Sequence, residues 1–198
     1  MRMTSTGAET SSPRAAAAQL CVSCGFCCNN LFFGFVELKP EDDPTALGAL
    51  LPIERKADKL ILRQPCAALD GCRCTIYDRR PQICRGYRCQ VLREVEKTPG
   101  ALPPALEQVA RLSAHFEMLK TQLRQAGYLA PDMVVSAGIK AFRMAYQTAL
   151  TTTDTPFFMR HRELILRWKK TAWLIQQFDQ WAAAAFTLPA HPLPVQDA

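Results

Sequence analysis

The sequence predicts an α+β chain that is mostly helical, with a small irregular cysteine-rich domain ahead of about three amphipathic helices. Three observations predict it. All nine cysteines of the 198-residue chain fall between Cys21 and Cys89. The same stretch has only short apolar runs, without long periodic segments. After residue 100, apolar residues recur at alternating steps of three and four, the spacing of one helix face.

Taken in order, residues 1–18 are expected to be a disordered leader. Residues 15–18 are alanines, too short a run for the apolar stretch of a signal peptide. Residues 19–93 are expected to form the cysteine domain. Within it, LFFGFVEL (31–38) is rich in residues that favour strands. Residues 44–51 read as a short helix beginning at Pro44, and residues 53–63 end in an apolar run that reads as a strand leading to Pro65-Cys66. Pro99 and Gly100 break regular structure, so residues 94–102 read as a linker.

Residues 103–186 read as a helical region. Val109, Leu112, Phe116, Leu119 and Leu123 share one face, with Pro103 and Pro104 in the first turn and Gly127 at the stop. A second helix is expected from near Asp132, aligning Val135, Ile139, Phe142, Tyr146 and Leu150. Thr155-Pro156 reads as a cap and first position for a third helix running to about Phe186. Phe157, Leu164, Trp168, Ile175, Phe178 and Ala182 lie on its apolar face. Trp173 and Trp181 fall off that face and are expected to meet another helix or the cysteine domain. Residues 187–198 (TLPAHPLPVQDA) read as a flexible, proline-rich tail.

The net charge is +6, and most of it sits on the second cysteine segment. Residues 63–93 carry seven arginines (Arg63, Arg73, Arg79, Arg80, Arg85, Arg88 and Arg93) against two acids. Guanidinium groups beside thiolates lower their pKa and offset the negative charge of a metal–thiolate site. A nucleic-acid footprint is the competing, less favoured reading. No run of about 18 apolar residues is present, so no membrane span is expected. The protein is expected in the cytoplasm, where thiols stay reduced. An odd number of cysteines also argues against a disulfide scaffold.

The cysteines form two groups. CVSCGFCCNN holds Cys21, Cys24, Cys27 and Cys28. Two-residue gaps let successive thiolates bend back onto one metal, and Gly25 eases the turn this needs. On a helix, Cys21, Cys24 and Cys28 would share a face while Cys27 points to the flank. The adjacent Cys27 and Cys28 are then expected to serve two different metals, or one metal plus another role. The second group, CAALDGCRCTIYDRRPQICRGYRC, holds Cys66, Cys72, Cys74, Cys84 and Cys89. Four thiolates complete a structural zinc site or hold an iron–sulfur cluster, so eight fill two sites and one is left over.

These residues resemble the bacterial cysteine-cluster family named for its CxxCxxCC motif, described as zinc- or iron-chelating. The matching residues are Cys21, Cys24, Cys27 and Cys28, then Pro65-Cys66 and Cys74-Thr75-Ile76-Tyr77. Arg80-Pro81, Cys84-Arg85, Tyr87 and Cys89 match the family's Arg-Pro-x-x-Cys-Arg-x-aromatic run. The resemblance spans roughly residues 19–90 and implies metal binding. It makes Cys21, Cys24, Cys27, Cys28, Cys66, Cys74, Cys84 and Cys89 the candidate ligands, with Cys72 an additional one outside the commonest pattern. A relative with a similar cluster is the flagellin lysine N-methylase, an S-adenosylmethionine-dependent enzyme.

Around such a site Tyr77 and Tyr87 are expected to exclude water. Arg80 and Arg85 are expected to hydrogen-bond sulfurs or nearby carbonyls, and Pro81 to fix the turn before Cys84. His115, His161 and His191 show no metal spacing with one another, and Asp42 and Asp43 read as solvated. The sequence has no glycine-rich phosphate loop, GxSxG, HExxH or CxxxCxxC.

The preferred function is therefore metal binding, with zinc or an iron–sulfur cluster held at one or two sites. An iron–sulfur redox enzyme or a methyltransferase-like enzyme is the alternative, and a nucleic-acid or protein adaptor the second. The expected partner is a metal ion; a protein partner is compatible, while nucleic acid and membrane are disfavoured.

Overall fold

The computed structural model describes residues 12–179. Trp181, Ala182, Phe186, His191 and the tail expected from residue 187 lie outside the described residues, as does the leader up to residue 11. Within the described residues the chain is mostly helical, with two small antiparallel sheets.

Helix α1 spans Pro13–Cys24 and overturns the expected leader boundary at residue 18. Ser12 caps it, its hydroxyl accepting the Ala15 N–H at 3.3 Å, and Pro13 occupies the first turn. Alanine is the best helix former, and its small methyl lets a helix approach its neighbours closely. Ala16, Ala17 and Leu20 are accordingly buried. The alanine run that reads as a weak leader supplies, through Ala16 and Ala17, part of the packed face of a helix.

Strands β1 (Phe35–Glu37), β2 (Glu54–Lys56) and β3 (Lys59–Arg63) form an antiparallel sheet with β3 in the centre. Val36 faces Leu62, and Arg55 faces Leu60. The segment expected to yield one strand makes a hairpin instead, turning at Ala57 (φ +53°) and Asp58. Helix α2 (Pro44–Gly48) begins at Pro44, as the sequence predicts. Asp43 is not merely solvated: it caps α2 by accepting the N–H groups of Thr45 and Ala46.

A ribbon of β4 (Leu69–Asp70) and β5 (Arg73–Cys74) follows, then a 3-10 turn at Tyr77–Arg79 and helix α3 (Gln82–Gly86). Helix α4 (Gln90–Lys97) runs through the first part of the expected linker. Its Val91, Leu92 and Val95 are buried at a three-to-four spacing, which outweighs the polar residues between them.

Helix α5 (Leu102–Gln125) buries Val109, Leu112, Phe116, Leu119 and Leu123, the expected face. Helix α6 (Val135–Thr152) starts three residues later than expected. The third helix divides into α7 (Thr155–Arg160) and α8 (Arg162–Phe178). Asp154, not Thr155, is the cap; its carboxylate accepts the Phe157 N–H at 3.0 Å. Trp173 does not find the expected partner helix. It is 48% exposed, with the Lys170 ammonium 4.1 Å from its ring centre.

One large core runs from Ala16 and Leu20 through Phe26, Val95 and Leu112 to Trp168 and Phe178. It therefore joins α1 and α4 to α5 and α8. A smaller core of Leu38, Leu47, Leu51, Leu62, Ala68 and Ile76 sits beneath the three-stranded sheet. The seam between these two cores holds the cysteines.

Candidate metal centre

Glycine begins the site. Gly25 ends α1 in the left-handed conformation, at φ +67°. Helix α1 therefore stops at Cys24, and the expected helical face joining Cys21, Cys24 and Cys28 does not form. The chain curls back, with the Cys28 and Asn29 N–H groups both donating to the Gly25 carbonyl at 2.9 Å. Phe26 anchors the curl in the large core, edge-on to Phe178 at 5.4 Å. Cys24 and Cys27 are left on either side of that anchor.

The second group reaches the first through backbone contacts. The Cys66 N–H donates to the Cys28 carbonyl at 2.8 Å, and the Gln64 N–H to the Gly34 carbonyl at 3.1 Å. In the ribbon, Leu69 faces Cys74. Cys72 is at its tip, exposed, with its Cα so close to Gly25 that a methyl there would stand 3.1 Å away. Cys84 lies in α3, which is held to the loop before α2 by Asp42, whose carboxylate accepts the Gln82 N–H at 2.8 Å. Cys89 caps α4, its sulfur accepting the Leu92 N–H at 3.4 Å.

All nine cysteines line one cavity of about 310 Å³, together with Tyr77, Arg80 and Tyr87. Among the described residues all nine are free thiols. No group of three or more His, Cys, Asp or Glu side chains among the described residues stands ready to hold a metal ion. The sulfurs are thus gathered but not closed into a cage.

Burial dominates their electrostatics. It pushes the Cys28 thiol up to about 12 and the Cys84 thiol to about 11. Burial raises Cys24 and Cys27 further, and Cys21, Cys66 and Cys89 by less. Neighbouring thiolates add to the rise, while the Arg80 guanidinium opposes it at Cys21 and Cys84. Burial without charge compensation keeps a thiol protonated; a bound cation reverses the balance.

The arginines brace the loop through carbonyls. Arg80 lies over the Tyr77 ring, 3.5 Å from its centre, and its Nε donates to the Tyr77 carbonyl at 2.7 Å. Arg85 donates to the carbonyls of Arg80 and Asp78. Tyr87 stands edge-on to Phe33 at 5.0 Å, closing the cavity on the side of the large core.

Two contributors carry no signal in the sequence. Gln64 is 6% exposed and lines the cavity, and its Oε1 is buried without a hydrogen-bond partner. Asn30, also buried, donates to the Phe33 carbonyl and accepts the Ser136 N–H, tying the cysteine curl to the start of α6. The histidines stand apart: His161 packs against Phe157 and Phe142, and His115 meets Arg167.

The donor set fits a thiophilic ion or cluster. Nine sulfurs surround the cavity, with a single carboxylate, Glu37, among its lining residues.

Residues 20–102 match the model of the CxxCxxCC family, described as "Putative zinc- or iron-chelating domain". No curated protein and no solved structure matches the chain. The matched stretch contains every cysteine and runs from α1 into the start of α5. Over residues 20–102, the chain is similar to the CxxCxxCC family, whose description is one of zinc or iron chelation.

Proposed function

We propose that the protein binds zinc or an iron–sulfur cluster through Cys21, Cys24, Cys27, Cys28, Cys66, Cys74, Cys84 and Cys89. The observation that carries this is the single cavity onto which both cysteine groups open. Zinc on four thiolates supplies folding energy on the order of 10 kcal/mol per site. Residues 19–93 act as the chelating unit, and residues 103–186 are its scaffold. Free thiols suit the reducing cytoplasm as the place of work.

The arginines support this reading over a nucleic-acid adaptor. Arg63 pairs with Glu54, Arg88 with Glu96, and Arg80 and Arg85 with loop carbonyls. Four of the seven arginines of residues 63–93 thus brace the fold, while Arg73, Arg79 and Arg93 are exposed.

Metal analysis of protein purified without oxygen, paired with its visible spectrum, tests the proposal. A colourless protein with stoichiometric zinc, or a brown one whose absorption bleaches on reduction, supports it. Protein that carries neither metal and takes up neither on reconstitution overturns it.

A further inference from the structure

We propose that the cavity holds two separate four-thiolate centres, Cys21–Cys24–Cys27–Cys89 and Cys28–Cys66–Cys74–Cys84, which meet at the Cys27–Cys28 peptide. This rests on the metal-binding reading above and divides its ligands.

The packing carries the division. Cys21, Cys24, Cys27 and Cys89 all pack against the large helical core. Cys66 and Cys74 pack against the small core beneath the sheet. Cys28 joins the second set through its carbonyl, which holds the Cys66 N–H at 2.8 Å. Cys84 joins it through α3, fastened by Asp42 to the loop before α2, a helix that contributes Leu47 to the small core.

Backbone geometry explains the junction. Cys27 packs against the large core, while the carbonyl of Cys28 is held by the Cys66 N–H, so the two neighbours are turned to different sides. Two ions, one on each side of the peptide, use both. Cys72 falls in neither set. It is exposed at the ribbon tip and near Cys24, beside the first centre.

Cadmium loading of the full chain, read by native mass spectrometry and cadmium NMR, tests the division. The wild-type protein is expected to take two ions and give two thiolate-ligated resonances. Cys21→Ser/Cys24→Ser and Cys66→Ser/Cys84→Ser should each keep one ion and lose a different resonance. A wild-type protein that takes one ion overturns the two-centre division and leaves metal binding standing. Uptake of none overturns both. Loss of both ions in a variant that stays folded by far-ultraviolet circular dichroism also counts against independent centres. Should a variant not fold, the number of wild-type resonances decides alone.

Discussion

Tyr87 donates a 2.6 Å hydrogen bond from its phenol to the Asp179 carboxylate, joining the cysteine loop to the end of α8. Burial and this acceptor both push the Tyr87 hydroxyl well above its usual range, so it remains the donor. Tyr87→Phe removes the donor but keeps the ring on Phe33. A hydrogen bond to a charged group contributes about 1.5–3 kcal/mol. The expected loss is at the low end, since Asp179 recovers water. Urea unfolding checks this: an unchanged midpoint would show that the bond adds nothing to stability.

Two glycines separate the site from its scaffold. Gly25→Ala places a side chain at φ +67° and a methyl 3.1 Å from the Cys72 backbone. The left-handed conformation alone costs an L residue about 1–2 kcal/mol. Gly138→Ala would set a methyl 2.8 Å from the Tyr128 carbonyl oxygen, at the packing of α6. Both variants should melt earlier. Gly25→Ala should also bind zinc more weakly in a chelator competition, whereas Gly138→Ala should bind it unchanged. Equal affinities in the two variants would show that the Gly25 turn does not shape the site.

Much of this was legible in the sequence wherever one residue type settles the matter. The α5 face follows from five apolar residues at helical spacing, and the start of α2 from Pro44. The two cysteine groups mark the stretch that carries the cavity. What escaped depends on contacts between distant residues. Alanines 15–18 read as a leader because the burial of Ala16 and Ala17 needs α4 and α5, against which α1 packs. Cys27 and Cys28 leave the expected helix because Gly25 stops it. Gln64 has no motif at all; the fold alone places it on the cavity wall and buries its amide oxygen.

Metal uptake should depend steeply on pH. Each thiolate that takes a metal must first lose a proton, and burial holds those protons tightly. Affinity is therefore expected to fall as pH falls, by up to four protons per four-thiolate ion. The metal-free protein should behave in the opposite sense. Its buried thiols titrate above the ordinary value of 9.0, Cys28 at about 12 and Cys24 and Cys27 higher still, so the unfolded chain loses its protons first. For Cys28 that contribution to stability is full below pH 9.0 and is lost as pH rises toward about 12. Urea midpoints of the metal-free protein across this window should decline, and less so in Cys28→Ala.

Gln64 offers a test without metal. A buried acceptor with no partner costs about 1–3 kcal/mol. Gln64→Met keeps most of the shape and removes the oxygen. The metal-free variant is expected to gain about 1 kcal/mol in chemical denaturation. No gain would mean that the amide oxygen is already satisfied.

Arg80 acts on both sides of the cavity. Its guanidinium opposes the upward push on Cys21, in the first proposed set, and on Cys84, in the second. A formally dianionic four-thiolate zinc site gains from a nearby cation, and groups surrounding a metal site typically change its affinity by about 10–100-fold when removed. Arg80→Gln keeps a side-chain donor for the Tyr77 carbonyl, but loses the charge. Zinc affinity is expected to fall by about 10-fold at each centre, in a chelator competition at constant pH. Arg63→Gln serves as the control, since Arg63 is paired with Glu54 at 2.6 Å on the sheet. Weakening at one centre only would place Arg80 with that centre rather than between the two. Equal effects of both substitutions would reduce Arg80 to a general contribution of positive charge.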